Sequence, residues 1–197
     1  MNVARPESVT ADELAQLARQ ARDGDPAARH ALLAELYGAV RKHIYLLIGS
    51  GAVADDAVQE TMIALHRGLA GFRGDASPKT WALAIATRTA HRIRRKESRY
   101  IADDTIDAAV FDLAPTEAAE MAVLRKALET LAPKKRDAFV LMAIFELTAE
   151  EAGEALGTFA NTAASRFRHA RAELEKQFFA NFDDGVPRLA TNKGGMP

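Results

Sequence analysis

Apolar residues along this chain recur at intervals of three and four, which is the spacing of one face of an α-helix. Val58, Met62, Leu65 and Leu69 form one such stripe. The same spacing recurs within residues 124–131 and 163–174. No segment has the apolar–polar alternation of a half-buried strand. The pattern therefore predicts an all-α protein.

Turn and capping residues divide the helical pattern into segments. Helices are expected over about 11–22, from Pro26 to a stop at Gly49 and Gly51, and over about 79–98 after the turn-rich segment 72–78. A further helical region is expected over about 116–180. We expect two small helical domains, residues 1–98 and 119–180, joined by an acidic linker over 99–118 and followed by a flexible tail over 181–197.

Composition excludes several classes of protein. The 197 residues include no Cys, which removes disulfides, thiol catalysis and Cys-based zinc sites. No apolar stretch approaches the length of a membrane span, and the first ten residues lack the order of a signal peptide. We expect a cytoplasmic protein without membrane insertion.

Charge is strongly segregated although the net charge is only −1. Residues 81–102 contain six Lys and Arg against one Glu, whereas residues 103–120 contain six Asp and Glu and no basic residue. Either block alone is typical of a solvated face. Their adjacency favours a basic helix that attracts polyanions, followed by an acidic connector.

The segment 148–171 has the layout of a helix-turn-helix. Thr148 and Glu151 fit a capping box at the start of a short helix, and Gly157 supplies the left-handed residue that ends it. A second helix follows and is suited to the major groove, although a helical hairpin with a polar exterior remains an alternative. Gly153 predicts that the two helices cross closely. The predicted outward face of the second helix comprises Asn161, Ser165, Arg166, Arg168 and His169.

Two sets of motifs, in order, resemble the extracytoplasmic-function (ECF) sigma factors of bacterial RNA polymerase. Segments 55–61 (DDAVQET) and 72–81 (FRGDASPKTW), with the basic helix after them, are similar to the promoter-melting domain of that family. Segments 128–133 (LETLAP), 151–157 and 162–171 are similar to its upstream-element domain. The resemblance covers about residues 30–176.

The resemblance implies a non-enzymatic subunit that recruits core RNA polymerase to promoters. It implies that the polymerase-binding residues are Asp56, Gln59 and Glu60. It also implies that the downstream (−10) promoter element is read by Phe72, Arg73, Lys79, Arg88, Arg92 and Arg95. It implies that the upstream (−35) element is read by the outward face of the second helix of the helix-turn-helix. Core polymerase and promoter DNA are the implied partners, and an anti-sigma factor or other regulatory protein is a candidate partner.

Other functions use less of the sequence. A stand-alone helix-turn-helix regulator would leave the Asp56 patch without a role, and a purely structural adaptor would use neither motif set. The five His are scattered and no nucleotide-binding Gly pattern occurs, so no catalysis, metal or cofactor is expected. Within the resemblance, Ala163 and the Ala152–Gly153 pair replace larger residues, and Phe159 is expected to fill the space that they leave.

Overall fold

The computed structural model describes residues 9–96, 115–180, 182–183 and 186–187. In this part of the chain, α-helices dominate, and the strand pairing is a two-residue antiparallel pair, Phe182–Asp183 with Val186–Pro187. The all-α prediction is confirmed. The helices are α1 (Ala11–Arg22), α2 (Pro26–Ile48), α3 (Ala52–Gly68), α4 (Pro78–Lys96), α5 (Pro115–Glu129), α6 (Pro133–Phe139), α7 (Ala149–Leu156) and α8 (Ala160–Ala180).

Helix boundaries follow the capping residues that the sequence offers. The Asp25 carboxylate accepts from the amides of Ala27 and Ala28 and starts α2, with Pro26 in the first turn as expected. Thr10 and Glu13 form a capping box at the start of α1. Most of the predicted linker and tail lies outside the described residues. Helix α5 begins at Pro115, so the last four residues of the predicted linker are helical.

The first helical unit packs α1, α3 and α4 against the long helix α2. One face of α2 carries Leu32, Leu36, Val40 and Ile44 at four-residue intervals, and all four are buried. They meet the inward stripes of the neighbouring helices, including Leu65 of α3. Each fully buried aliphatic side chain of this kind stabilises the fold by roughly 1.5–3 kcal/mol.

The second helical unit comprises α5 to α8 and shares its core with the first. Its buried residues Leu128, Leu141 and Phe145 pack in one cluster with Tyr45 and Leu46 from the last turns of α2. Leu83, Ala84 and Ala90 of α4 belong to the same cluster. A π-helical turn, Val140–Ile144, follows α6 and brings Val140 and Leu141 into this core. The sequence did not predict that the two units are packed together.

Polar contacts cross the same interface. The guanidinium of Arg136, a buried residue, donates to the carbonyl of Leu47 at the end of α2 (3.1 Å). Lys79 Nζ of α4 donates to the Phe145 carbonyl (3.2 Å). His91 Nε2 lies 3.1 Å from the buried Asp137 carboxylate. No helix of the described chain is long and apolar enough to cross a bilayer.

His43 is a neutral imidazole enclosed between the units. The Thr87 hydroxyl donates to the Leu83 carbonyl (2.8 Å), so it accepts from His43 Nε2, also at 2.8 Å. The ring packs edge-on against Phe145 with 5.4 Å between centroids. Burial, reinforced by repulsion from His91, lowers the pKa of His43 from 6.5 to about 3.

This pKa predicts a pH-dependent loss of stability. Below pH about 6.5 the unfolded chain protonates His43 but the folded chain does not, so the free energy of unfolding falls until the pH reaches about 3. The contribution of this one group between pH 7 and 5 is about 2 kcal/mol. Urea titrations should show this loss in the wild type and in the exposed-site control His30→Leu. His43→Leu should lack it, and an unchanged pH dependence in His43→Leu would contradict the assignment.

Candidate nucleic-acid interfaces

The predicted polymerase-binding residues lie together on the exposed face of α3. The opposite face, with Val58, Thr61 and Leu65, is buried in the first core. Asp56 and Glu60 are one turn apart, with Gln59 beside them, and all three side chains are exposed. Glu60 forms an ion pair with Arg92 of α4. Asp56 and Gln59 remain open to a partner on this surface, which we term the α3 patch (Asp56, Gln59 and Glu60).

The segment from Phe72 to Ser77 is a loop that enters α4. Ser77 caps α4, because its hydroxyl accepts from the Thr80 amide (3.0 Å) and its carbonyl from the Trp81 amide (2.9 Å). Phe72 is buried at 9% exposure, with its ring 5.0 Å from that of Trp81. The Phe72 ring thus packs into the core of the first unit at the start of the loop. Arg73 is exposed at the loop tip and pairs with Asp75 (2.9 Å).

Some basic residues of α4 lie on an exposed face of the helix, and others lie at the interface between the units. Arg88, Arg92 and Arg95 follow at intervals of four and three, so they share one face, and all are exposed. Lys79 does not join them. Its ammonium group bonds the Phe145 carbonyl and lies 5.7 Å from the centre of the Phe145 ring. The structure thus brings three of the predicted α4 cations together and holds the fourth against the second unit.

A cleft of about 380 Å³ separates the loop from α1. Arg19 and Arg22 of α1 line it opposite the loop residues Arg73 and Ser77. Sequence reasoning missed these two α1 cations as neighbours of the loop. Their spacing predicts one helix face, but nothing in the sequence shows that this face lies beside residues 72–78.

The predicted helix-turn-helix is present as α7 and α8. The Thr148 hydroxyl accepts from the Glu151 amide (3.2 Å), and the Glu151 carboxylate accepts from the Thr148 amide (2.9 Å), which completes the capping box. Gly157 ends α7 in the left-handed conformation, with φ 60° and ψ 43°. A Cβ on Gly153 would lie 2.9 Å from the Thr158 carbonyl oxygen, which confirms the predicted close approach.

The two faces of α8 are also as predicted. Ala163 and Ala170 are fully buried, and the Phe167 ring packs 5.8 Å from that of Phe139. On the outward side the side chains differ in exposure. Asn161, Arg168 and His169 are exposed, whereas Ser165 and Arg166 are half-buried. Three of the five predicted residues are therefore exposed, and the other two are partly covered.

Phe159 corrects one expectation. It was expected to fill space left by small residues in the second core, but its side chain is 84% exposed. The close contact of the turn backbone with Gly153 closes the space beneath the turn, so the core needs no compensating ring there. In the described ranges, no cluster of three or more His, Cys, Asp or Glu could hold a metal ion.

Two family models match this chain, one in each helical unit. The family model for Sigma-70 region 2 matches residues 32–100, and that for Sigma-70 region 4 matches residues 121–174. The sigma factor YlaC of Bacillus subtilis is 30% identical over 133 residues, which cover 62% of this chain and 76% of YlaC. The chain belongs to the ECF-type RNA polymerase sigma factors.

Further similar proteins include a second sigma factor sequence and two solved structures. The ECF sigma factor SigG of Mycobacterium tuberculosis is 26% identical over 164 residues, which cover 68% of this chain but only 44% of SigG. Two solved structures share the fold. CnrH, in complex with the cytosolic domain of CnrY, superposes with a TM-score of 0.68 at 24% identity, covering 88% of this chain and all of that one. The sigma factor RpoE of Bartonella quintana, in complex with the anti-sigma factor NepR, gives 0.63 at 22% identity, covering 76% and 96%.

The matched regions contain the surfaces described above. Region 2 includes the α3 patch, the loop and the exposed face of α4, and region 4 includes α7 and the part of α8 up to residue 174. Arg19 and Arg22 precede the region 2 match.

Close packing at Gly153 of region 4 predicts the effect of adding one methyl group there. Gly153→Ala places a Cβ against backbone atoms of Thr158 and Ala160, which cannot rotate away, so we expect a loss of about 1–3 kcal/mol in the free energy of unfolding. Gly38→Ala in α2 is the matched control, because its Cβ meets nothing within 4 Å. It should raise stability by about 0.5–1 kcal/mol. Equal effects of both substitutions in urea titrations would contradict the close crossing.

Proposed function

We propose that this chain binds core RNA polymerase and directs promoter-specific transcription initiation. The first unit would read the −10 element and the helix-turn-helix the −35 element. The observation that carries the proposal is that both matched sigma regions occur in one chain, each with most of its predicted contact residues exposed. A stand-alone regulator would need only the helix-turn-helix and would leave the α3 patch unused.

The α3 patch is proposed as the polymerase contact. Exposed carboxylates and an amide on adjacent turns suit a partner that presents Arg side chains, which pair with carboxylates in bidentate geometry. Asp56 and Gln59 are accessible without any rearrangement. Glu60 would bind the partner only by leaving or sharing its ion pair with Arg92. This pair links the proposed docking surface to the proposed DNA-binding face of α4.

The −10 contacts are proposed to lie on the loop and α4. Arg88, Arg92 and Arg95 present three cations along one helix face, which suits phosphates of an unwound strand. Arg73 at the loop tip is available to a base or phosphate near the α1 cleft. Phe72 would act by anchoring the loop. Lys79 would contact DNA only after its bond to the Phe145 carbonyl is broken.

The outward face of α8 is proposed to read the −35 element in the major groove. Asn161 suits an adenine edge, and Arg168 suits a guanine edge or a phosphate. Ser165, Arg166 and His169 would supply further contacts to bases or backbone. In this proposal the chain itself is not an enzyme and needs no cofactor, and it works in the cytoplasm beside the polymerase. An anti-sigma factor is a proposed regulator, since RpoE of Bartonella quintana has been solved with one.

Co-elution with bacterial core RNA polymerase tests the docking proposal. We expect the wild type to co-elute on gel filtration. Asp56→Arg/Gln59→Ala should weaken binding at least tenfold, because reversing a charge opposite a basic partner surface adds repulsion. The matched control Asp12→Arg/Gln20→Ala makes the same changes on the exposed side of α1 and should bind as the wild type does.

Two results would contradict this proposal. If the wild type eluted apart from the polymerase yet bound duplex DNA, the chain would act as a stand-alone regulator. If both double variants bound the polymerase equally well, docking would not involve the α3 patch.

A further inference from the structure

Phe159 is the residue immediately before α8, the second helix of the helix-turn-helix. Its carbonyl accepts from the amides of Thr162 (2.9 Å) and Ala163 (3.1 Å), so it is the N-cap residue of α8. Its side chain is the most exposed of the large apolar side chains that the structure describes, at 84%. A large aromatic ring is thus presented to solvent at the end of α8 that is proposed to enter the major groove.

Local folding does not account for a Phe at this position. An N-cap is favoured when its side chain accepts a hydrogen bond from the first turn, as Thr148 does for α7, and a phenyl ring cannot accept one. The ring also adds nothing to the core, because the turn meets Gly153 through its backbone. Phe159 therefore stabilises the fold neither by a capping hydrogen bond from its side chain nor by burial of its ring.

Its neighbours place the ring beside the predicted base-reading residues. Asn161 lies two positions further along α8 and is exposed, and the polar face continues to Ser165 and Arg168. In a helix-turn-helix, the N-terminal residues of the second helix contact base edges. The C5-methyl group of thymine is the apolar feature of those edges, and Phe is among the side chains that contact it.

We propose that Phe159 contacts a thymine C5-methyl group and thereby sets a preference for thymine in the upstream promoter element. This inference rests on the proposed function and adds a specificity-determining residue to it. Asn161 would read an adenine beside this thymine, so a short A·T-rich step is expected under the N-terminus of α8. The preference depends on the methyl group and not on hydrogen bonding.

Replacement of thymine by uracil in the DNA tests the contact directly, since uracil lacks only the methyl group. The preferred upstream sequence is first selected from randomised duplexes with the full chain bound to core polymerase. Each thymine in it is then replaced singly and the affinity is measured. For the wild type we expect one replacement to weaken binding about threefold to tenfold, in keeping with the loss of one apolar contact.

The variants should abolish this sensitivity. Phe159→Ala should bind the thymine and uracil duplexes equally at that position. Phe159→Ser should do the same while raising the thermal stability of the chain, because Ser restores an N-cap, so misfolding would not explain the result. Asn161→Ala is the control on the same helix end and should keep the uracil penalty. Val123→Ala, an exposed apolar position on α5, should behave as the wild type.

Three outcomes would overturn the assignment. The first is a wild type that binds the selected DNA with no uracil penalty, or a Phe159→Ala variant that keeps the penalty. The second is a Phe159→Ala variant that loses affinity for polymerase and not for DNA, since the ring would then contact protein. The third is a chain–polymerase mixture that selects no sequence, which would refute the proposed function itself.

Discussion

The guanidinium of Arg136 holds the two helical units of this sigma factor together. It donates to the carbonyl of Leu47 in the last turn of α2, to the carbonyls of Leu128 and Glu129 at the end of α5, and to that of Leu131 in the turn before α6. Carbonyls at helix ends lack partners within the helix, and buried ones are costly to leave unpaired. Burial lowers the pKa of Arg136, although a guanidinium in proteins stays charged. One side chain therefore satisfies backbone groups of both units within the shared core.

This shared core determines which predicted surfaces are free. It draws Lys79 and His91 of α4 toward the second unit, whereas Arg88 and Arg95 are exposed. It also covers the inner side of α7, where the Glu151 carboxylate lies 3.5 Å from the Thr80 hydroxyl. On α8, Asn161, Arg168 and His169 are exposed. The α3 patch, three of the α4 cations and these three residues of α8 thus remain exposed while the units are packed together.

Local features of the sequence predicted most of the helices and the outline of the candidate surfaces. Asp25 with Pro26, Thr148 with Glu151, and Gly157 act within one helical turn, so their effect is visible without knowledge of the fold. The Gly153 contact was also predictable, because a costly Gly inside a short helix implies a close neighbour.

Features that depend on residues far apart in the sequence could not be predicted from local patterns. Periodicity gives the apolar face of a helix but not the element that covers it, so the packing of Leu83 and Ala90 against the second unit was missed. Phe72 and Phe159 are both Phe residues in predicted turns, yet Phe72 is buried against Trp81 and Phe159 is exposed. Lys79 likewise resembles the other α4 cations until the position of Phe145 is known.

The central claim is that this chain gives core polymerase its promoter specificity, and transcription from a random library tests it most directly. Templates with randomised upstream DNA are transcribed by core polymerase with and without the chain, and the RNA 5′ ends are sequenced. The account predicts transcripts that require the chain and start at a fixed distance downstream of two conserved sequence blocks. The account would be contradicted by transcripts that are the same with and without the chain. It would also be contradicted by chain-dependent transcripts whose templates share only one sequence block.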